Sequence, residues 1–161
     1  MRAKYKAEVR PAVAADVSAM VELITAYREL LAQWEPRFWN PAADAAAKSA
    51  FFFGALIADE RPIVMVAVRD ETIVGFAILM PIAVPPVYDA GPAATLDDFV
   101  VGEGDDWLDV GKALLVAVRA CGRAHGWQQL IAVCPAADCR KAALFEAERL
   151  TTVTHWRTAA M

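Results

Sequence analysis

The chain has 161 residues, 58% hydrophobic and 22% charged, with a formal net charge of −4. That balance excludes a disordered polymer, and the acidic surplus excludes nonspecific nucleic-acid binding, which needs a basic face. The length fits one domain with a full core, residues 1–161, and is short for two. The longest apolar run, Thr72 to Val87, is broken by Pro81, Pro85 and Pro86, so no membrane span is expected. No apolar segment follows the basic stretch MRAKYKAEVR, so no signal peptide is expected and the expected compartment is the cytoplasm. Cys121, Cys134 and Cys139 lack CxxC spacing, and His125 and His155 are too scattered to complete a metal set. Reduced structural thiols and no metal are expected.

In chain order, AEVRPAV (Ala7 to Val13) predicts a short strand, and Asp16 is placed to cap the helix that follows. Val17, Met20, Val21, Ile24, Tyr27 and Leu31 recur at helical spacing and form one apolar stripe. Pro36 and Pro41 break that helix. AADAAAKSAFFFGALIAD predicts a second helix, with Phe51, Phe52 and Phe53 expected in the core. PIVMVAVRD and TIVGFAILMPI, joined at RDET, read as a hairpin whose second strand is covered on both faces. TLDDFVV (Thr95 to Val101) is a strand with two acids inside a buried pattern. DDWLDVGKALL then opens a helix ending near Gly126. QQLIAVCP is a strand, CRKAALFEAERL a short helix and TTVTHWRTA a last strand. The strand–helix–strand order around DDWLDVGKALL implies a parallel pair inside a mostly antiparallel sheet. The fold class is therefore mixed α/β (α+β), a single layered domain with about four flanking helices.

The unit from Leu96 to Leu115 carries the chemistry. A loop that leaves a parallel strand and feeds a helix presents unpaired amides and the positive end of the helix dipole. Gly111 would let a ligand approach the backbone and Lys112 adds a cation. Against this stand Glu103, Asp105, Asp106 and Asp109. Asp105 or Asp106 as N-cap, and Asp109 in the first turn, suit an ordinary acid-capped helix. Each acid would cost a nearby diphosphate about 1 kcal/mol in a wet site.

LDDFVVGEGDDWLDVGKALL resembles the main cofactor motif of the GNAT superfamily, the acyl-CoA-dependent N-acyltransferases. In that pattern, Gln/Arg-x-x-Gly-x-Gly/Ala, Asp106 falls on the Gln/Arg position, Asp109 on the first Gly and Gly111 on the second. VRPAVAADVSAMVELI, VAVRDETIVGFAIL and DCRKAALFEAERL resemble the family's opening unit, central hairpin and Asn-containing segment. Asp138 stands at the Asn, Phe145 at a Tyr that often protonates the departing thiolate, and Arg149 and Leu150 replace Gly-Phe.

The resemblance implies acyl transfer from acetyl-CoA, or another acyl-CoA, to the amine of a small molecule or peptide. It implies a cofactor site at Phe99, Val100 and Val101, at Trp107, Leu108, Asp109, Val110, Gly111 and Lys112, and at Asp138. A splay between strands beyond Val101 would admit the thioester. The attacking amine must lose a proton, for which Asp97 and Asp98 are the candidate bases. Alternate strand residues face opposite sides, so one of the two is expected to face the acceptor, and the resemblance ranks Asp98 ahead. Trp34, Trp39 and Tyr88 are candidate pocket residues, although core packing between helices and sheet accounts for the tryptophans better. Two other readings stay open: a ligand-binding protein of the same fold without turnover, and an interaction domain that forms a homodimer through the edge of its last strand.

Overall fold

The computed structural model describes residues 6–161; residues 1–5, part of the basic N-terminal stretch, lie outside the described residues. One five-stranded sheet in the order β1-β2-β3-β4-β5 organises the chain. Its strands are β1 (Glu8–Pro11), β2 (Ile63–Arg69), β3 (Thr72–Ile82), β4 (Ala93–Val101) and β5 (Gln129–Ala132). Neighbours are antiparallel except β4 and β5, the expected parallel pair. The β2–β3 turn holds Asp70 and Glu71 at φ 47° and 63°, the left-handed pair that a tight hairpin needs.

Helices cover both faces. On one side α1 (Val17–Trp34) and α3 (Ala45–Ala58) bury Met20, Ile24, Phe53 and Leu56 against Val66, Phe76, Ile78 and Val100. On the other, α4 (Lys112–Ala124) and α5 (Cys139–Ala147) bury Leu114, Leu115, Val118, Leu144 and Phe145 against Ala67, Leu79, Leu96 and Phe99. Each fully buried side chain of this size contributes roughly 1.5–3 kcal/mol. Among the described residues no helix is long and apolar enough to cross a membrane.

Several expectations need correction. Asp16 does not cap α1 from its own position; its carboxylate reaches back to the amide of Val13 at 2.8 Å and pairs with Arg10 at 2.7 Å. The Pro36 break contains a single helical turn, α2 (Pro36–Trp39), begun by Pro36 itself and capped by the Glu35 carboxylate on the Arg37 amide. Of the three phenylalanines, Phe53 is buried while Phe51 is 82% exposed, because adjacent helical residues diverge by about 100°. TTVTHWRTA forms no strand. Residues 151–161 are exposed and irregular, since the four-residue β5 offers few ladder partners. Dimerisation through a final strand therefore loses its structural basis.

Candidate functional site

The two acids of β4 sit where the strand departs from regular pairing. Across β3, Ala77 pairs with Phe99 and Leu79 with Leu96, so Asp97 and Asp98 together oppose Ile78 alone. This is a β-bulge, and it cancels the alternation that would separate two neighbouring residues. Leu96 and Phe99 both pack towards α4 and α5, while Asp97 and Asp98 both line a cavity bounded by α1. The expectation that one of the two would face away is thus corrected.

The cavity measures about 350 Å³, and its walls include Tyr27, Arg28, Trp39, Asp97, Asp98 and Lys141. Burial pushes the Asp98 carboxyl above its ordinary range, and the Asp97 charge adds to this; Arg28 and Lys141 oppose it. A carboxylate destabilised in this way holds a proton more strongly than a surface acid, which suits a base. Of the expected pocket residues, Trp39 lines the cavity; Trp34 does not, and Tyr88 is 69% exposed in the loop before β4.

Lys141, Tyr27 and Arg28 line the cavity beside the two acids, and sequence reasoning missed all three as candidates. Asp138 ties the first two together: as N-cap of α5 it accepts from the Lys141 amide at 3.0 Å and from the Tyr27 hydroxyl at 2.7 Å. Burial, then this hydrogen bond, raises the Tyr27 phenol well above its ordinary value. The Lys141 side chain, 3% exposed, lies over the rings of Tyr27 at 4.5 Å, Trp107 at 5.2 Å and Phe99 at 5.9 Å. Burial pushes its ammonium down to about 8, although Asp138 and Asp98 favour the charge. Arg28 donates to Ser49 Oγ at 2.6 Å. Burial pushes the Cys134 thiol up, the wrong direction for a nucleophile.

The other half of the site is where β4 and β5 part. Their pairing ends at Leu96 and Ala132, whereas β4 continues to Val101. The splay therefore opens at Asp97, not beyond Val101, and leaves the far edge of β4 from 97 to 101 without a ladder partner among the described residues. Trp107 and Phe145 flank Phe99 here, at ring separations of 5.0 and 6.1 Å.

The start of the following helix differs from an open phosphate cradle. Residues 107–111 form one wide π turn. Asp106 Oδ1 accepts from the Leu108 amide at 2.8 Å, and the amides of Asp109 and Val110 donate to the Asp106 carbonyl. The Lys112 amide is likewise held within the turn, and Lys112 Nζ pairs with Glu148 at 3.0 Å. Gly111 is required by packing, not by a ligand: a Cβ there would lie 2.8 Å from Trp107 and 2.9 Å from Leu144. Asp105 and Asp109 both pair with Arg69 at the end of β2. The acidic loop is thus folded onto an internal cation. The edge of β4 suits a pantetheine arm; the helix start, with the amides of Leu108, Asp109, Val110 and Lys112 engaged, does not suit a diphosphate.

No protein-family model matches this sequence, and no curated protein does. Solved structures match nearly all of it. A mutant form of a Bacillus halodurans protein superposes with a TM-score of 0.83 at 16% identity, over 96% of this chain and 99% of that one. A putative acetyltransferase from Arthrobacter sp. FB24 is 24% identical, with a TM-score of 0.69 over 94% and 96% of the chains. An aminoglycoside N-acetyltransferase solved with CoA gives 0.71 at 14% identity, over 96% and 94%. The chain has the fold of the GNAT acetyltransferases.

Proposed function

We propose that this protein is an N-acyltransferase that moves an acyl group, acetyl in the simplest case, from an acyl-CoA thioester to a primary amine. The observation that carries the reading is the bulge of β4, which sets two carboxylates at one cavity beside the splay of the sheet. The donor would supply an acyl group already activated as a thioester. Its pantetheine arm would run along the free edge of β4 at Phe99, Val100 and Val101. Asp138 would serve indirectly, since its carboxylate is committed to Tyr27 and α5.

Within the cavity, Asp97 would hold the incoming ammonium and Asp98 would take its proton, freeing the nitrogen lone pair for attack on the acyl carbon. As the C–N bond forms the C–S bond would break, and the nitrogen would shed a second proton to solvent. Phe145 carries no proton to give, so CoA would leave as the thiolate and be protonated by water. A specific observation favours a second reading, a donor-binding protein without turnover: Asp106 occupies an amide of the helix start and Lys112 is paired.

Two measurements test this. Acetyl-CoA should raise the melting temperature, as any ligand of the native state must. Thiol release should then appear with a suitable primary amine and fall about 10²- to 10⁴-fold in Asp98→Asn. No thermal shift at millimolar acetyl-CoA would sink both readings, and a shift with unaltered release in Asp98→Asn would reassign the base.

A further inference from the structure

Four charged side chains, Arg28, Asp97, Asp98 and Lys141, line the β4 cavity without a direct ion pair to one another among the described residues. Arg28 is held by Ser49, a neutral hydroxyl that orients the guanidinium and leaves its charge. Lys141 Nζ makes no hydrogen bond among the described residues. It rests on aromatic faces with 3% of the residue exposed. A buried ammonium without a bonded counter-ion is costly, and so is the partly buried Asp98 carboxylate beside the like charge of the exposed Asp97. Such costs persist in a folded protein where a ligand offsets them.

The charges number two of each sign and come from different elements: the cations from α1 and α5, the anions from the bulge of β4. A ligand that satisfies all four must carry both signs and be neutral overall. Apart from Asn40 and the Tyr27 hydroxyl, the remaining walls are apolar and aromatic, with Leu31, Phe38 and Trp39 among them. At about 350 Å³ the cavity is at the small end of ligand pockets, roughly 300–1,000 Å³.

We propose that the acceptor is a free α-amino acid with an apolar or aromatic side chain, its carboxylate held between Arg28 and Lys141 and its amine at Asp97 and Asp98. The proposal deepens the acyl-transfer reading and rests on it for the fate of the amine. A peptide N-terminus would fit poorly, because its amine has no free carboxylate one carbon away. A polyamine would leave both cations unmatched and add charge of the same sign.

The test is binding to the whole protein, read by thermal shift and calorimetry, with and without CoA. The probes are L-phenylalanine, L-phenylalaninamide, which keeps the amine and loses the carboxylate charge, and 3-phenylpropionate, which keeps the carboxylate and loses the amine. L-Phenylalanine should bind at least about ten-fold more tightly than either analogue. Arg28→Met should abolish its advantage over the amide, and Asp97→Asn its advantage over phenylpropionate. Asp97 is exposed, so its variant keeps the test valid even if Arg28→Met fails to fold. Equal or tighter binding of the amide overturns the proposal. If acetyl-CoA shifts the melting temperature and L-phenylalanine never does, the amino-acid site falls and the acyl-transfer reading stands. If L-phenylalanine binds selectively and acetyl-CoA does not, the site stands and the transfer reading falls.

Discussion

Arg69, the last residue of β2, donates to Asp109 at 3.0 Å across 40 positions of chain, and its other terminal nitrogen pairs with Asp105. Its side chain is 8% exposed, so the pairing occurs largely out of water. That contact converts a loop of like charges into a folded lid on the sheet.

Arg69→Met should therefore be strongly destabilising. The side chain would still pack, but Asp105 and Asp109 would face each other without a cation. Removing one member of a buried pair typically costs about 3–5 kcal/mol; Asp109 is partly solvated, which argues for the lower figure. Denaturant midpoints for wild type, Arg69→Met and Arg69→Met with Asp105→Asn check this, and the double variant should recover part of the loss. An unchanged midpoint would mean that the ion pair contributes nothing.

The strands and long helices are legible in the sequence because their signals are local. TIVGFAILMPI is β3 from end to end, and the helical stripe of Val17 to Leu31 is the buried face of α1. What escapes is what depends on partners. The bulge at Asp97 and Asp98 exists through register against β3, and nothing in LDDFVV announces it. Arg69 reads as the polar end of a hairpin strand until β4 and its loop fold over it. Lys141, three residues past a helix cap, has the look of a solvated first-turn lysine. Tyr27, Phe99 and Trp107 come from three separate elements to enclose it. Gly111 reads as necessary from the sequence, but for a ligand's approach instead of the closeness of Trp107 and Leu144.

The role of Asp98 predicts a pH profile. A base works when deprotonated, so thiol release should fall on the acid side as pH drops through the Asp98 value. Burial and the neighbouring Asp97 raise that value above an ordinary carboxylate's, so the acid limb should lie above the usual carboxylate range. Asp97→Asn removes the like charge and should move the limb to lower pH, while Asp98→Asn should remove it. Profiles of kcat/KM on the three proteins check this, and an unmoved limb in Asp97→Asn would detach the profile from Asp98.

Lys141 predicts stability against pH. Its native value is about 8, below the roughly 10.4 of an unfolded lysine. Between these values the unfolded chain binds the extra proton, so stability rises with pH through this window, and below it the buried charge costs the fold in full. Lys141→Met should accordingly stabilise the protein at pH 7 by roughly 2–3 kcal/mol. The advantage should shrink towards pH 10, as wild type sheds its proton. Asp138 keeps its Tyr27 hydroxyl donor and the backbone amide of residue 141 in the variant, which limits the offset from losing the nearby cation. Urea titrations of both proteins at pH 7 and pH 10 decide, and a difference independent of pH would place the effect in packing alone.

Asp106 predicts how the donor is held. Its carboxylate occupies the Leu108 amide at 2.8 Å, the position and charge that a diphosphate oxygen would otherwise take. Asp106→Ala should cost about 1 kcal/mol of stability as a lost N-cap. It should also free one amide and remove one repulsive charge, tightening acetyl-CoA about five-fold in a solvated site. S-acetyl pantetheine lacks the diphosphate and should bind wild type and variant alike, through the open edge of β4. Calorimetric titration of both thioesters against both proteins gives four constants. If the variant gains nothing for acetyl-CoA, or gains equally for the truncated donor, the diphosphate does not sit at this helix, and the acids around it serve the fold alone.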